Sequence, residues 1–189
     1  PTIALLEGLK DPFHKVLMGV TAENVANKAG INREHMDTYS VRSHERSLAT
    51  DFDGEIYPLY DSQGFLYDTD TGVRKGLTIE KVGKMRPAFV PNGNVTAANS
   101  SQITDGSAML ILASEEYVAM HNLKPIAEIV DVRWSGVEPM SMGLGPVPAI
   151  KQLLGMNEIQ HSEIKHIEIN EAFAGQVLAC NDQLGFDES

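Results

Sequence analysis

The chain has one cysteine, Cys180, in 189 residues. An internal disulfide framework is therefore excluded, and a reducing compartment fits. Phe173, Val177, Cys180 and Leu184 recur at helical spacing on one face, which predicts a packed thiol and not a nucleophile. Basic charge is also scarce: 15 Lys and Arg stand against 26 Asp and Glu, a net charge of -11, which argues against nonspecific nucleic-acid binding. No apolar run approaches the roughly 18 residues that a helical membrane span needs. Neither a GxGxxG dinucleotide turn, a GxxxxGK[ST] phosphate loop nor a GxSxG elbow is present. Ser43 and His44 are adjacent, but on one helix their side chains point about 100° apart, which removes a serine-hydrolase reading. His161, Glu163 and His166 have neither HExxH order nor a cysteine partner, so no metal site is expected. There is no internal repeat and no low-complexity tract. The start, Pro1-Thr2-Ile3-Ala4, lacks an initiator methionine and a basic-then-apolar leader, and reads as a cut end.

Apolar residues make up 42% of the chain, enough for one folded domain or parts of two. Charge is segregated. Asp51, Asp53, Glu55, Asp61, Asp68 and Asp70 occupy a stretch without Lys or Arg, and Arg74, Lys75, Lys81, Lys84 and Arg86 then follow with Glu80 as the one acid. Two readings fit this switch: a cationic rim for a phosphate-bearing ligand, or a solvated face with ordinary surface ion pairs.

Two helices are expected first. One is capped by Thr21 with Ala22, Val25, Ala26 and Ala29 inward and is stopped by Gly30. The other is capped by Asn32 and runs from about 33 to 50 with Met36, Tyr39 and Leu48 inward. A turn-rich stretch with a strand over 55–59 and a loop at 62–64 leads to a helix over 79–84. Small and polar residues dominate 93–106. Beyond them, strands over 108–113, 126–132 and 167–169 alternate with helices over 115–121, 146–154 and 171–184. Such alternation indicates an α/β layer structure with a mostly parallel sheet, and the composition shift near Thr104 marks a domain boundary. The run IEINEAFA from Ile167 turns from alternating apolar residues into a helix start, and it delivers Asn170 and Glu171 at the junction. Asn170 there is either the helix N-cap or an amide that positions a water or donates to developing negative charge.

Five segments taken together are more specific than any one alone: MGVTAENVA at 18–26, RPAF at 86–89, GNVTAANSSQITDGSA at 93–108, MGLGPVPAI at 142–150 and NEAFA at 170–174. In this order, over essentially all 189 residues, they resemble the thiolase family. The resemblance implies a thiolase-like α/β fold: a loop domain plus a layered core whose first half is mostly missing and whose second half is truncated. Residues 1–103 would be the loop domain that covers the coenzyme, 104–125 the last segment of the N-terminal half, and 126–189 the start of the C-terminal half.

The implied function is an acyl-CoA acyltransferase, working by Claisen condensation or thiolytic cleavage of 3-ketoacyl-CoA through an acyl-cysteine, with coenzyme A as substrate or product and no permanent cofactor. The resemblance assigns Asn170 a catalytic role. It places Leu9, Met18, Arg74, Phe89, Ala97 and Ser101 along the coenzyme, and Met142, Ala172 and Phe173 nearer the reacting end. Leu17 stands where many thiolases have histidine. The family's nucleophilic cysteine, GHP histidine and second cysteine have no counterpart here, so the chain reads as the middle of a thiolase, without turnover on its own. The resemblance also implies a homodimer or homotetramer and acyl-CoA or 3-ketoacyl-CoA as partner; the compartment is undecided by the sequence, an intracellular one being expected, with the cytoplasm favoured and mitochondria or peroxisomes left open. The alternative is a noncatalytic acyl-CoA-binding or scaffold protein derived from a thiolase.

Overall fold

A computed structural model describes residues 4, 7–52 and 54–186. The elements, in chain order, are helices α1 (Met18–Lys28) and α2 (Arg33–Ala49), strands β1 (Leu59–Tyr60) and β2 (Leu66–Tyr67), and helices α3 (Ile79–Val82) and α4 (Glu115–Met120). A 3-10 turn (Pro139–Leu144), α5 (Pro146–Met156), a second 3-10 turn (His161–Glu163) and α6 (Ala174–Leu184) follow.

The α1 helix forms because Ala22, Val25 and Ala26 recur on one face, and all three are buried. Gly30, at φ +70°, supplies the left-handed residue that ends it. It starts one turn earlier than expected: Leu17 is the N-cap residue, and the Thr21 hydroxyl donates to the Met18 carbonyl inside the first turn instead of capping. Asn32 does cap α2, its side chain accepting from the His35 N–H at 2.9 Å. Met36 is fully buried, but Leu48 is 42% exposed. The reason is that buried residues on α2 stop at Val41, and Leu48 lies on the last, exposed turn of the helix.

The core gathers α1, α2 and α6 through Val25, Ala26, Ile31, Met36, Ala174, Leu178 and Ala179. Gly175 permits the close approach of α6, because a Cβ there would lie 2.7 Å from Met36 Sδ and 3.0 Å from Ala26 Cβ. Cys180 is packed into α6 with no exposure, as its spacing predicted. Its thiol donates to the Gly143 carbonyl at 3.3 Å, and burial pushes its pKa up, away from the reactive thiolate.

The strand expectations divide. Tyr60 pairs with Leu66 and Leu59 with Tyr67 in an antiparallel hairpin around the anticipated 62–64 loop, so the expected 55–59 strand contributes Leu59 alone. Asp61 fixes that loop by accepting from the N–H groups of Gln63 and Phe65, and these bonds hold its carboxyl below the usual carboxylate range. Residues 108–113, 126–132 and 167–169 form no ladder, and β1–β2 is the one sheet among the described residues. A strand needs a neighbour's N–H and C=O groups, and these segments find none among the described residues. Their apolar side chains stand in solvent: Met109 is 91%, Ile111 95% and Ile126 105% exposed. Exposed apolar segments of this kind drive association. Purified 189-residue chain is therefore expected to sediment as concentration-dependent oligomers; a single monomeric boundary with a cooperative thermal melt would contradict this. No described helix is long and apolar enough to cross a membrane.

Candidate functional site

The site is built on the small-residue segment 93–101, which three buried polar side chains hold in shape. Glu23, on the inner face of α1, accepts from the N–H groups of Asn94 and Val95, both at 2.7 Å. Gly93 lies so close to that carboxylate that any side chain there would overlap it. Asp37 on α2 accepts from Arg33 Nε at 2.7 Å and from Asn99 Nδ2 at 3.0 Å. Asn99 completes the frame by accepting from the Thr96 N–H and donating to the Asn94 carbonyl. These contacts satisfy buried groups that would otherwise be costly to leave unpaired.

The segment then docks on the entry to α6. Ser101 N–H donates to the Ala172 carbonyl at 2.9 Å, and Ala174 N–H donates to the Asn99 carbonyl at 3.0 Å. The first N–H of α6 is thus taken by a loop carbonyl, so the helix begins at Ala174 and not at Glu171. Phe173 is the residue at the N-cap position. Asn170 lies three residues ahead of it, which removes the capping alternative. Asn170 is exposed and lines a cleft of about 230 Å³ together with Tyr39, Ser43, His44, Ser101 and Glu171. The Glu171 carboxylate accepts from Tyr39 Oη at 2.6 Å and Ser43 Oγ at 2.7 Å.

A second, apolar cluster adjoins the α6 entry. Phe89 meets Phe173 edge to face with ring centroids 6.0 Å apart. The Phe89 ring lies directly over Gly19, where a Cβ would penetrate it. Next to Gly19, Met18 donates its N–H to the Leu9 carbonyl at 3.0 Å. The structure therefore joins Leu9, Met18, Phe89 and Phe173 in one neighbourhood, and Asn170, Ala172 and Ser101 in the adjacent one. Ala97 is exposed on the framed loop. Arg74 is exposed, and its backbone N–H reaches His44 Nδ1 at 3.3 Å, which brings the basic stretch to the edge of the cleft. Lys75, Lys81, Lys84 and Arg86 are exposed as well. Met142, 39% exposed, sits on the 3-10 turn packed against α1 and α6 and does not line the cleft.

Glu23, Asp37 and Asn99 are contributors that sequence reasoning did not single out, while Tyr39 reads there only as an inward residue of α2 and Ser43 only as half of a rejected Ser-His pair. A signal existed for two of them. Glu23 lies within the apolar arc of α1, and Asp37 follows the fully buried Met36; a carboxylate among core positions demands a buried partner.

The description "Thiolase, N-terminal domain" matches residues 2–116, and "Thiolase, C-terminal domain" matches residues 123–189. A probable acetyl-CoA acyltransferase of Staphylococcus aureus is 39% identical over 186 residues, covering 94% of this chain and 47% of that protein. The crystal structure of the Bacillus anthracis acetyl-CoA acetyltransferase superposes with a TM-score of 0.93 at 39% identity, over 97% of this chain and 48% of that one. Human mitochondrial 3-ketoacyl-CoA thiolase in complex with CoA gives a TM-score of 0.93 at 37% identity, over 97% of this chain and 47% of that one. The chain thus spans about half the length of the relatives it matches.

Proposed function

The chain belongs to the thiolase family, and from that premise we propose that it forms the central part of an acyl-CoA acyltransferase that makes or cleaves the carbon–carbon bond of 3-ketoacyl-CoA. The observation that carries this reading is the convergence of the framed 93–101 loop, the Phe89–Phe173 pair and Asn170 on the entry to α6. Residues 1–103 would serve as the coenzyme-covering part, 104–125 as the end of the N-terminal half and 126–189 as the start of the C-terminal half.

In this proposal each position contributes by its chemistry. Leu9, Met18, Phe89 and Phe173 offer apolar walls to the pantetheine arm. Ala97 leaves the coenzyme room, and Ser101 supplies a hydroxyl. Arg74, a planar cation with several donors, suits the phosphates or the adenine face. Ala172 flanks the reacting end, and Met142, which lies outside the cleft, is assigned there on the family resemblance alone. The Asn170 amide donates to the oxygen on which negative charge develops, directly or through a water. The acyl-accepting and proton-moving thiols are not supplied by these residues, because the one thiol, Cys180, is buried against Gly143. The chain alone is accordingly expected to bind without turnover. A homodimer or homotetramer remains the proposed assembly of the full-length enzyme. No observation favours the scaffold alternative.

Titration calorimetry with coenzyme A tests the reading. Arg74→Ala is expected to raise Kd about tenfold, the loss of one charge-assisted contact of roughly 1.4 kcal/mol. Equal binding by both proteins would remove Arg74 from the site, and no binding by either would refute a coenzyme surface on this chain.

A further inference from the structure

Glu171 follows Asn170 directly, and each of its carboxylate oxygens is engaged by a hydroxyl from α2, Tyr39 Oη at 2.6 Å and Ser43 Oγ at 2.7 Å. Tyr39 and Ser43 are four residues apart, so they leave α2 on the same face and meet the carboxylate as a fork. The Arg42 guanidinium lies 5.2 Å from the Tyr39 ring centroid, a second contact on that ring. All of this happens at an exposed cleft, where charge-assisted pairs add little to folding stability. Placement explains the fork better than stability does. On the downstream side, Asn170 is tied through its carbonyl to the Ala172 N–H at 3.0 Å, and through the Ala172 carbonyl to Ser101. On the adjacent side, the Glu171 carboxylate links the turn to α2, the helix that also holds the loop frame through Asp37.

We propose that Tyr39, Ser43 and Glu171 are positioning residues that clamp the Asn170 turn to α2 and so set where the Asn170 amide meets the reacting oxygen. The proposal rests on the reading of Asn170 given above. A clamp of this kind acts on orientation, and a misplacement of about 1 Å at a reacting group can cost a hundredfold in rate. Its three residues are none of those assigned to the coenzyme, so binding of the thioester should be left alone. Its action is geometric and does not depend on charge. Gln at 171 can still accept from one hydroxyl through its carbonyl and donate to the other hydroxyl oxygen through its amide.

The test is steady-state kinetics and thermal melting of the full-length acyltransferase carrying this chain. Tyr39→Phe with Ser43→Ala is expected to lower kcat about tenfold or more while KM for the thioester stays within about twofold, at an unchanged Tm. Glu171→Ala is expected to match that loss, and Glu171→Gln to recover to within about threefold of the starting enzyme, because both hydrogen bonds can re-form. Unchanged kcat in the double variant would overturn the clamp. So would a loss that tracks a lowered Tm, or a Glu171→Gln enzyme as impaired as Glu171→Ala. Asn170→Ala separates the two levels of the argument. Unimpaired turnover there would overturn the catalytic reading and the clamp with it, whereas a crippled Asn170→Ala enzyme beside an intact double variant would overturn the clamp alone.

Discussion

Glu23→Ala is expected to destabilise the chain by about 3–6 kcal/mol, since hydrogen bonds to a charged group contribute roughly 1.5–3 kcal/mol each and two are lost together. Glu23 is 3% exposed and Val95 is fully buried, so the Val95 N–H has no route to water once the carboxylate is gone. Gly93 packs against the same carboxylate, and truncation would also leave a void beneath the loop. Glu23→Gln keeps the volume and one acceptor oxygen, and its loss should be about 1–2 kcal/mol. Urea unfolding at a fixed protein concentration, because association shifts the midpoint, checks both values. Hydrogen exchange at the Val95 amide reports the local event. A loss below about 1 kcal/mol with Val95 still protected would mean that the loop is not built around this carboxylate. Because the loop carries Ala97 and Ser101, weaker coenzyme binding should accompany the instability.

The helices were legible because their signals are local. Asn32 four residues before Met36 and Gly30 after Ala29 each state a boundary within a single turn, and Asn32 does cap by accepting from His35. The start of α6 was misread for the opposite reason. Its first N–H is satisfied by the carbonyl of Asn99, 75 positions away, and no property of residues 170–174 announces that partner. Residues 108–113, 126–132 and 167–169 show the same limit from the other side. Their apolar runs favour pairing, but a ladder requires a neighbour, and among the described residues none is supplied. At the site, the five blocks pointed to the correct family and to the turn that bears Asn170. The contacts that support that turn were invisible to motif reading, even for Glu171 inside the NEAFA block, since Glu23, Asp37 and Glu171 act on residues 71, 62 and 132 positions distant.

In the full-length enzyme, Asn170→Ala is expected to lower kcat by about 10²–10³, the usual loss when one preorganised donor to a developing oxyanion is removed. KM for the thioester should change little, because the coenzyme contacts assigned to Leu9, Met18, Arg74 and Phe89 lie elsewhere and bind ground state and transition state alike. The fold should survive: Asn170 is exposed, and the turn it occupies is held by main-chain bonds through Ala172 and Ser101 that alanine retains. Asn170→Asp is the sharper probe. It preserves the shape but replaces the amide donor with a carboxylate that repels the forming negative charge, so a donor role predicts a loss at least as large as that of alanine. Recovery of turnover by aspartate would show instead that residue 170 acts as a spacer or an acceptor, and the oxyanion role would have to pass to another group.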